Sequence, residues 1–254
     1  ISSGFQPVGG GRGNRLEFYS TSCGLSESTR LPLACNVDNY SVLAELWVAL
    51  LAGQIFMPAI MVSDFHKLRV EARKARLKAE LDAVLAGRGK IQLEIGCGHG
   101  HWLTDFAANR AESFFVGVDL IGDRIERANR KAQRAGLGNI AFIKSEASEL
   151  VELIPEPVCV EAVHVLFPDP WPKKRHWKNR LINPPFLNKL AEQCLRGCRL
   201  YFRTDHEEYF DWAFETLESV ESWQLVDGVA WPFERETVFQ AKANSYQSLV
   251  AEKV

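Results

Sequence analysis

From residue 91 onward, short apolar runs alternate with helical stretches, and this alternation restricts the chain to few folds. Five runs are predicted strands: Ile91–Ile95, Phe114–Val118, Ile140–Lys144, Ala162–Phe167 and Arg199–Thr204. Helical patterns follow at His101–Asn109, Asp123–Ala135, Ala147–Leu153, Phe186–Leu195 and Glu207–Ser219. The tail, from about Trp223 to Val254, is predicted to contribute late strands. Such alternation is typical of an α/β protein with a mostly parallel sheet and helices on both faces.

The composition is that of an ordinary globular protein. Of 254 residues, 46% are hydrophobic and 24% are charged, which is enough to build a sizeable core. The formal net charge of −2 excludes a globally basic nucleic-acid binder but leaves room for a local basic patch. The six cysteines contain no CxxC pair and no zinc-type spacing, so no metal site is predicted. Together with the lack of a convincing secretion signal, they favour reduced thiols and a cytoplasmic protein.

The first sixty residues differ from the rest of the chain. They contain few charged side chains, a glycine-rich start and a mostly apolar stretch from Val42 to Met61. That stretch is long enough for a short membrane span, but it lacks the basic flank and cleavage site of a signal peptide. We expect residues 1–60 to be an atypical N-terminal extension outside the native protein, which would begin near Met61. A membrane anchor and a genuine extra domain are the alternatives.

Residues 61–90 are predicted to form a basic N-terminal helix. The helical pattern runs from Asp64 to Ala86, with Gly87 as a plausible stop. Between Lys67 and Lys78 there are six cations and a single acid. Two interpretations stay open for this face, namely a solvated helix surface and an arm that contacts phosphates.

A glycine loop follows the first predicted strand. Its sequence is Gly96-Cys-Gly98-His-Gly100, and a helix is predicted directly after it. Small residues let a ligand approach the backbone, and the helix offers free N–H groups at its start. A dinucleotide-binding GxGxxG loop would place its third glycine at His101. The bulky side chain there argues against a nicotinamide cofactor.

The pattern ExGxGxG, which begins at Glu94, resembles the first motif of class I S-adenosylmethionine-dependent methyltransferases. The resemblance implies that Glu94 recognises the positively charged methionyl part of the cofactor, beside the glycines Gly96, Gly98 and Gly100. Asp119, after the second strand, would then bind the ribose hydroxyls, and Glu146, after the third, would lie beside the adenine. It also implies a Rossmann-like class I methyltransferase fold over residues 91–254, with a mostly parallel seven-stranded sheet.

The fourth predicted strand ends in Phe167-Pro-Asp169-Pro-Trp171, where two prolines hold Asp169 in a stiff turn. Open α/β sheets bind their ligands at this end of the strands. The next residues carry five cations and no acid: Lys173, Lys174, Arg175, Lys178 and Arg180. They indicate either a phosphate-binding surface or a solvated basic loop. The interleaved Trp171 and Trp177 could stack on bases or fill core space.

The segment FPDPWPKKRHWKNRL resembles the signature of the tRNA (guanine-N7)-methyltransferase family. The likeness continues at Thr204-Asp205 and at a T-x-x-E-like element that ends at Gln240. It implies methyl transfer from S-adenosylmethionine to N7 of a tRNA guanine, at the variable-loop guanosine. The protein would act as a monomer, with tRNA as its partner and no protein partner implied. The residue roles that follow are Asp169 as a catalytic and cofactor-binding residue, and Lys173, Arg175, Asp205, Thr237 and Gln240 as substrate-binding residues.

The chain departs from the family pattern at two places. Gln240 stands where the family has a glutamate, and a family glycine is missing around Ser245-Tyr246. An amide can accept a hydrogen bond, but it cannot form the charge-assisted pair that a carboxylate makes with guanine N–H groups. The alternatives are a class I methyltransferase for another RNA or a small molecule, and a catalytically weakened RNA-binding relative.

Two further motifs have structural interpretations. Asn183-Pro-Pro-Phe186 spells the box that amino-group methyltransferases carry at the end of the fourth strand, but Asp169 and its prolines already occupy that position. We therefore predict that this box opens the next helix, with proline at an early helical position. Thr204-Asp205 could cap the helix predicted at Glu207–Ser219, which is compatible with a substrate role.

Overall fold

The computed structural model describes residues 59–237 and 240–254, and its centre is a seven-stranded sheet. The strands are β1 (Lys90–Ile95), β2 (Phe115–Asp119), β3 (Ile140–Lys144), β4 (Cys159–Leu166), β5 (Cys194–Thr204), β6 (Trp223–Leu225) and β7 (Gln247–Lys253). Their order in the sheet is β3-β2-β1-β4-β5-β7-β6. The first five run parallel, whereas β7 is antiparallel to both β5 and β6. The predicted Rossmann-like, mostly parallel sheet is confirmed.

Helices cover both faces of this sheet. They are α1 (Ala59–Val84), α2 (His101–Ala108), α3 (Gly122–Arg134), α4 (Ala147–Glu152), α5 (Pro184–Gln193) and α6 (Glu207–Glu218), with short 3-10 turns at Lys174–Asn179 and Gln240–Lys242. Side chains alternate between the faces along each strand. Val116 and Val118 thus join one core with α1, α4, α5 and α6, whereas Phe115 packs with α2 and α3 on the other.

The prediction for residues 1–60 falls almost entirely outside the described residues, and so does most of the apolar stretch from Val42 to Met61. The described part of the chain begins with α1. Among the helices of that described part, none combines the length and hydrophobicity needed to cross a membrane.

The basic helix α1 is tied to the domain by both apolar and charged contacts. Leu77, Leu81 and Leu85 recur every four residues and are buried in the core. Arg73 forms an ion pair with Glu149 of α4, and Lys74 forms a second one with Glu152. Some of the predicted cationic face therefore anchors α1 to α4, while cations nearer its amino end are exposed.

Strand β5 begins five residues earlier than predicted, and α5 ends two residues earlier. Cys194 already pairs with Val160 of β4, and the ladder resumes with Arg199 beside Ala162. The residues between form a bulge in which Gly197 adopts a φ of +80°, a left-handed conformation that favours glycine. Long-range pairing decided this boundary, because the local pattern at 194–198 also suits the end of a helix.

The motif Asn183-Pro-Pro-Phe186 opens α5, as predicted. Asn183 is the N-cap residue, and its side-chain oxygen accepts a hydrogen bond from the N–H of Phe186 at 3.0 Å. Prolines occupy the first helical positions, where their missing N–H groups are not needed. The box is therefore a helix start and does not lie at the end of β4.

Candidate functional site

The glycine loop between β1 and α2 has three left-handed residues. Gly96, Gly98 and Gly100 have φ values of +78°, +55° and +64°, which L side chains rarely adopt. A Cβ at Gly100 would lie 2.5 Å from the Phe142 ring, so close packing also requires glycine there. At Gly96 and Gly98 a Cβ would meet nothing within 4 Å. These two glycines therefore leave an open backbone surface that a ligand can approach.

Replacing Gly100 by alanine is expected to lower the free energy of unfolding by about 2–4 kcal/mol, through steric overlap and backbone strain. Gly138→Ala is the matched control, because a Cβ there meets nothing within 4 Å and its φ is not in the left-handed region. The control should change stability by less than about 0.5 kcal/mol. Urea unfolding followed by circular dichroism measures both, and equal midpoints for the two variants would contradict the packing argument.

Asp119, at the end of β2, supports the glycine loop. One carboxylate oxygen accepts the N–H of Gly98 at 3.0 Å, and the other accepts the N–H of Ile121 at 2.9 Å. Arg124 lies 3.5 Å from the first oxygen. Each carboxylate oxygen can accept a second hydrogen bond. Asp119 can therefore hold the loop and still accept from ligand hydroxyl groups.

Glu94 is a buried carboxyl group two residues before the loop. It is 4% exposed, and its Oε2 has no hydrogen-bond partner among residues 59–237 and 240–254. Burial, together with the nearby negative charge of Asp119, raises the pKa of Glu94 to about 8. Buried polar atoms are normally paired, so this oxygen indicates a ligand group that donates hydrogen bonds or carries a positive charge. The residues present fit the cationic methionyl part of S-adenosylmethionine.

Glu146 lies after β3, where a contact with adenine is predicted. Its side chain is exposed at the N-cap of α4, and Oε2 accepts the N–H of Glu149 at 2.9 Å. The preceding Ser145 donates its backbone N–H to the carbonyl of Asp119 at 3.2 Å. Glu146 therefore caps a helix immediately beside the loop and β2.

The loop that follows β4 has a strained backbone. Phe167 and Trp171 have φ values of +51° and +47°, which typically cost about 1–3 kcal/mol per residue. The N–H of Phe167 donates to the carbonyl of Arg203 at 2.8 Å, and Arg180 Nε donates to the carbonyl of Pro170 at 2.9 Å. Between these anchors, Asp169 is exposed at the carboxyl edge of the sheet.

Arg180 is not part of the basic surface. The sequence groups it with the cations after Trp171, yet its side chain is fully buried. The guanidinium lies over the rings of Trp177, at 4.4 Å, and Tyr209, at 4.9 Å. It also donates to the carbonyl of Glu208 at 3.2 Å. Arg180 thus joins the loop after β4 to the start of α6, and desolvation lowers its pKa from the usual value.

The other cations of that segment stay on the surface. Lys173, Lys174, Arg175 and Lys178 are all exposed, in and next to the 3-10 turn. Trp177 is half-buried and packs edge-on against Trp212 at 5.7 Å. This tryptophan packs against Arg180 and Trp212, whereas the four cations form a positive strip beside the Asp169 loop.

Strand β5 ends at Thr204, and Asp205 follows it at the same edge of the sheet. Thr204 is buried, and its hydroxyl accepts the N–H of His206 at 3.2 Å. The N-cap residue of α6 is His206, which makes no side-chain capping bond. The alternative in which Thr204-Asp205 caps α6 is therefore not realised: Thr204 accepts from the backbone two residues on, and Asp205 is exposed.

Arg203 is a second buried arginine that the sequence does not single out. It donates to Ser248 Oγ at 2.9 Å, to Glu234 at 3.3 and 3.5 Å, and to Gln240 Oε1 at 3.4 Å. A guanidinium can only donate, so the amide oxygen of Gln240 must face it. The amide nitrogen of Gln240 then donates to the Tyr246 hydroxyl at 3.1 Å. Thr237 accepts the backbone N–H of Gln240 at 3.0 Å.

The segment before Thr237 is docked on α2, the helix that follows the glycine loop. Trp102 Nε1 donates to the carbonyl of Phe233 at 3.3 Å. The Phe233 ring stacks on Phe106 with centroids 5.1 Å apart, and Arg235 forms an ion pair with Asp105. These contacts link the predicted substrate element at Thr237 to the cofactor side of the site.

The site residues predicted from sequence all lie at or next to one edge of the sheet, in two neighbouring groups. The group around β1, β2 and β3 contains Glu94, Gly96, Gly98, Gly100, Asp119 and Glu146, and the group around β4, β5 and β7 contains Asp169, Lys173, Arg175, Asp205, Thr237 and Gln240. Because β1 pairs with β4, the two groups adjoin. Arg180 and Arg203 belong to the second group as supports. The sequence shows only that each is an arginine. It does not predict the supporting role, because the partners of both side chains are distant in sequence.

Comparison with known proteins identifies relatives of this chain. Residues 88–252 match the model of the methyltransferase family Methyltransf_4. The curated tRNA (guanine-N(7)-)-methyltransferase of Halorhodospira halophila is 38% identical over 141 residues, which cover 55% of this chain and 61% of that protein. The one from Thermus thermophilus is 34% identical over 59% of this chain and 49% of its own length.

A third relative is covered more completely. The tRNA (guanine-N(7)-)-methyltransferase of Neisseria meningitidis serogroup A is 34% identical over 167 residues, which are 65% of this chain and 70% of that protein. The match to the first two relatives spans less than two thirds of their length. The family model spans the Asp169 loop and its basic strip, and the match to the Neisseria protein covers more than half of this chain. The chain belongs to the tRNA (guanine-N(7)-)-methyltransferase family.

Proposed function

We propose that this protein transfers a methyl group from S-adenosylmethionine to N7 of a guanine in tRNA. The observation that carries the proposal is the strained loop after β4, which presents the exposed Asp169 next to a strip of exposed cations. The neighbouring β1 leads into the open glycine loop, and it carries the buried Glu94, whose Oε2 has no hydrogen-bond partner among the residues that the structure describes. A cationic cofactor and a polyanionic substrate would therefore meet at one edge. The names of the relatives support the same activity.

The residues around β1 and β2 are suited to hold the cofactor. When bound, S-adenosylmethionine supplies a methyl group activated by its attachment to a positively charged sulfur. Glu94 would bind the cationic methionyl part, and Asp119 would accept from the ribose hydroxyls. Gly96 and Gly98 leave room for close approach to the backbone. Glu146, at the end of β3, and Asp169, on the opposite side, would complete the binding surface.

The substrate side requires alignment and charge stabilisation rather than a general base. Guanine N7 has an unprotonated lone pair at neutral pH, so no proton has to be removed before methylation. The protein must align N7 with the methyl group and stabilise the positive charge that develops on the purine. The exposed carboxylate of Asp169 can do this, or it can accept hydrogen bonds from the base. Its two flanking prolines and the anchors of the loop hold it in place.

The cations and the C-terminal element are suited to bind the RNA. Lys173 and Arg175 would contact phosphates, which position the tRNA without reading its sequence. The oxygen of Gln240 already accepts from Arg203, so recognition of the guanine N–H groups would fall to Asp169 and Asp205. Thr237 holds Gln240 in place. We propose the variable-loop guanosine as the target, since N7 is reached only where the RNA shape leaves it accessible.

The remaining assignments follow from the same proposal. The catalytic domain would comprise residues 91–254, preceded by the basic helix within residues 61–90. The protein would act in the cytoplasm as a monomer on tRNA, without a protein partner.

A labelling experiment tests the proposed function directly. Full-length protein is incubated with methyl-labelled S-adenosylmethionine and unmodified tRNA transcripts, and chain scission specific for N7-methylguanosine maps the site. We expect label at one variable-loop guanosine. Label at another position would keep the reaction but change the target. Unlabelled tRNA in the presence of measurable cofactor binding would overturn the proposal, in favour of another substrate or an inactive RNA-binding relative.

Replacing Asp169 by asparagine should lower kcat for tRNA about 100-fold or more, because the amide cannot stabilise the developing cation as a carboxylate does. Asp211→Asn is the matched control, since Asp211 is an exposed aspartate on α6 outside the site. It should retain wild-type kcat. Turnover at the wild-type rate in Asp169→Asn would remove the catalytic role from this residue.

A further inference from the structure

Tyr246 lies at the site although it belongs to none of the sequence motifs. It immediately precedes β7, and the pairing of Gln247 with Thr204 places it at the carboxyl edge of the parallel strands, next to Asp205. The residue is 42% exposed. Among the aromatic side chains of the described residues, few are this accessible.

The ring of Tyr246 is held from several directions. The guanidinium of Arg203 lies 4.7 Å from the ring centroid. The ring meets Phe167 edge-on, with centroids 6.1 Å apart and an interplanar angle of 76°. Its hydroxyl accepts a hydrogen bond from the amide nitrogen of Gln240 at 3.1 Å. A side chain fixed in this way loses little conformational entropy when it binds a ligand.

The contact with Phe167 places the Tyr246 ring next to the loop that carries Asp169. Phe167 opens the strained loop that carries Asp169, two residues further on. The exposed surface of Tyr246 thus faces solvent at the start of the same loop that presents the proposed catalytic carboxylate. Flat aromatic rings of this kind bind unstacked nucleobases, because every base offers a π-face.

We propose that Tyr246 stacks on the guanine that is methylated and that Gln240 positions the tyrosine for this contact. The inference rests on the proposed function, since it concerns the substrate of the same site. Arg203 occupies one side of the ring, so the base would pack against the remaining exposed surface. In this chain, the amide at Gln240 would then not weaken recognition of the guanine. Its amide links the buried Arg203 to the tyrosine hydroxyl, and the tyrosine contributes the base contact.

The test compares variants of Tyr246 that separate the ring from the hydroxyl. Tyr246→Leu keeps apolar bulk but removes the aromatic ring, and it should lower kcat/KM for unmodified tRNA about 5- to 100-fold, as expected for one lost stacking contact. Tyr246→Phe keeps the ring and should stay within about 5-fold of the wild type. The Kd for S-adenosylmethionine, measured by calorimetry, should be unchanged in both variants. Phe214→Leu is the matched control, because Phe214 is an aromatic residue on α6 with similar exposure, 40%.

The outcomes separate the inference from the proposed function. If the wild-type protein leaves tRNA unmethylated, the proposed function is overturned and the inference with it. If the wild type is active and Tyr246→Leu methylates tRNA equally well, only the inference is overturned. A Tyr246→Leu variant that also loses cofactor binding would show a structural role and would likewise contradict stacking.

Discussion

Replacing Arg180 by methionine is expected to lower tRNA methylation about 100-fold or more and the free energy of unfolding by about 2–5 kcal/mol. The guanidinium donates to the carbonyls of Pro170 and Glu208, and methionine would remove the donor of both hydrogen bonds. The strained residues Phe167 and Trp171 would then lose one of the anchors that hold their loop. Because Asp169 lies between them, the proposed catalytic carboxylate would be displaced.

Single-turnover methylation measures the first effect, and urea unfolding measures the second. Arg180→Lys should behave almost like Arg180→Met, because lysine keeps the charge but cannot reproduce the planar fork of donors. Arg196→Met is the matched control for the loss of one positive charge, since Arg196 is exposed within the bulge of β5. The Kd for S-adenosylmethionine should change little in every variant. A folded Arg180→Met protein that turns over at the wild-type rate would refute a positioning role.

Cofactor affinity is expected to rise with pH below pH 8 and to level off above it. The pKa of Glu94 is about 8 in the ligand-free protein, against an ordinary value of 4.5, chiefly because the group is buried. Near pH 6 the carboxyl group is therefore neutral, whereas a bound cationic group favours the carboxylate. Binding must then release a proton, and Kd should fall by up to about 10-fold per pH unit until the free group is ionised.

Glu94→Gln should remove this pH dependence and weaken cofactor binding about 100-fold at pH 8 and above, where the lost carboxylate would otherwise be charged. Calorimetry in buffers of different ionisation enthalpy measures both Kd and the released proton. Glu221→Gln, at an exposed position beyond α6, is the matched control and should keep the wild-type profile. An unchanged pH profile in Glu94→Gln would show that another group titrates.

The same pKa shift predicts how the stability of the ligand-free protein depends on pH. The pKa of Glu94 is higher in the folded than in the unfolded chain, so its contribution is most favourable below about pH 4.5. That contribution decreases as pH rises towards 8. Glu94→Gln, which cannot ionise, should therefore become more stable than the wild type above pH 8 in the absence of cofactor. Thermal unfolding over a pH series checks the sign, and a variant less stable than the wild type at high pH would contradict it.

Local patterns predicted the helices and strands with boundaries mostly close to those observed, because hydrophobic periodicity reports which side chains face a core. The exception at β5 is informative. The pairing of Cys194 with Val160 extends the strand backwards through a bulge, and no local pattern contains that long-range contact. The opposite case is Asn183, whose capping bond to Phe186 is local and was predicted correctly.

The sequence by itself determined the alternating architecture, the glycine loop and the FPDPW segment, since each depends on residues that are neighbours in the chain. Only the tertiary structure decided which cationic side chains are exposed on the surface and which are buried as supports of the site. Arg180 and Lys178 look equivalent in a basic run, yet one is buried among Trp177 and Tyr209 and the other is exposed. The partners of Arg203, Gln240 and Tyr246 likewise come together only when β7 pairs with β5. Burial and partner choice depend on contacts between distant segments, and these exist only in the folded chain.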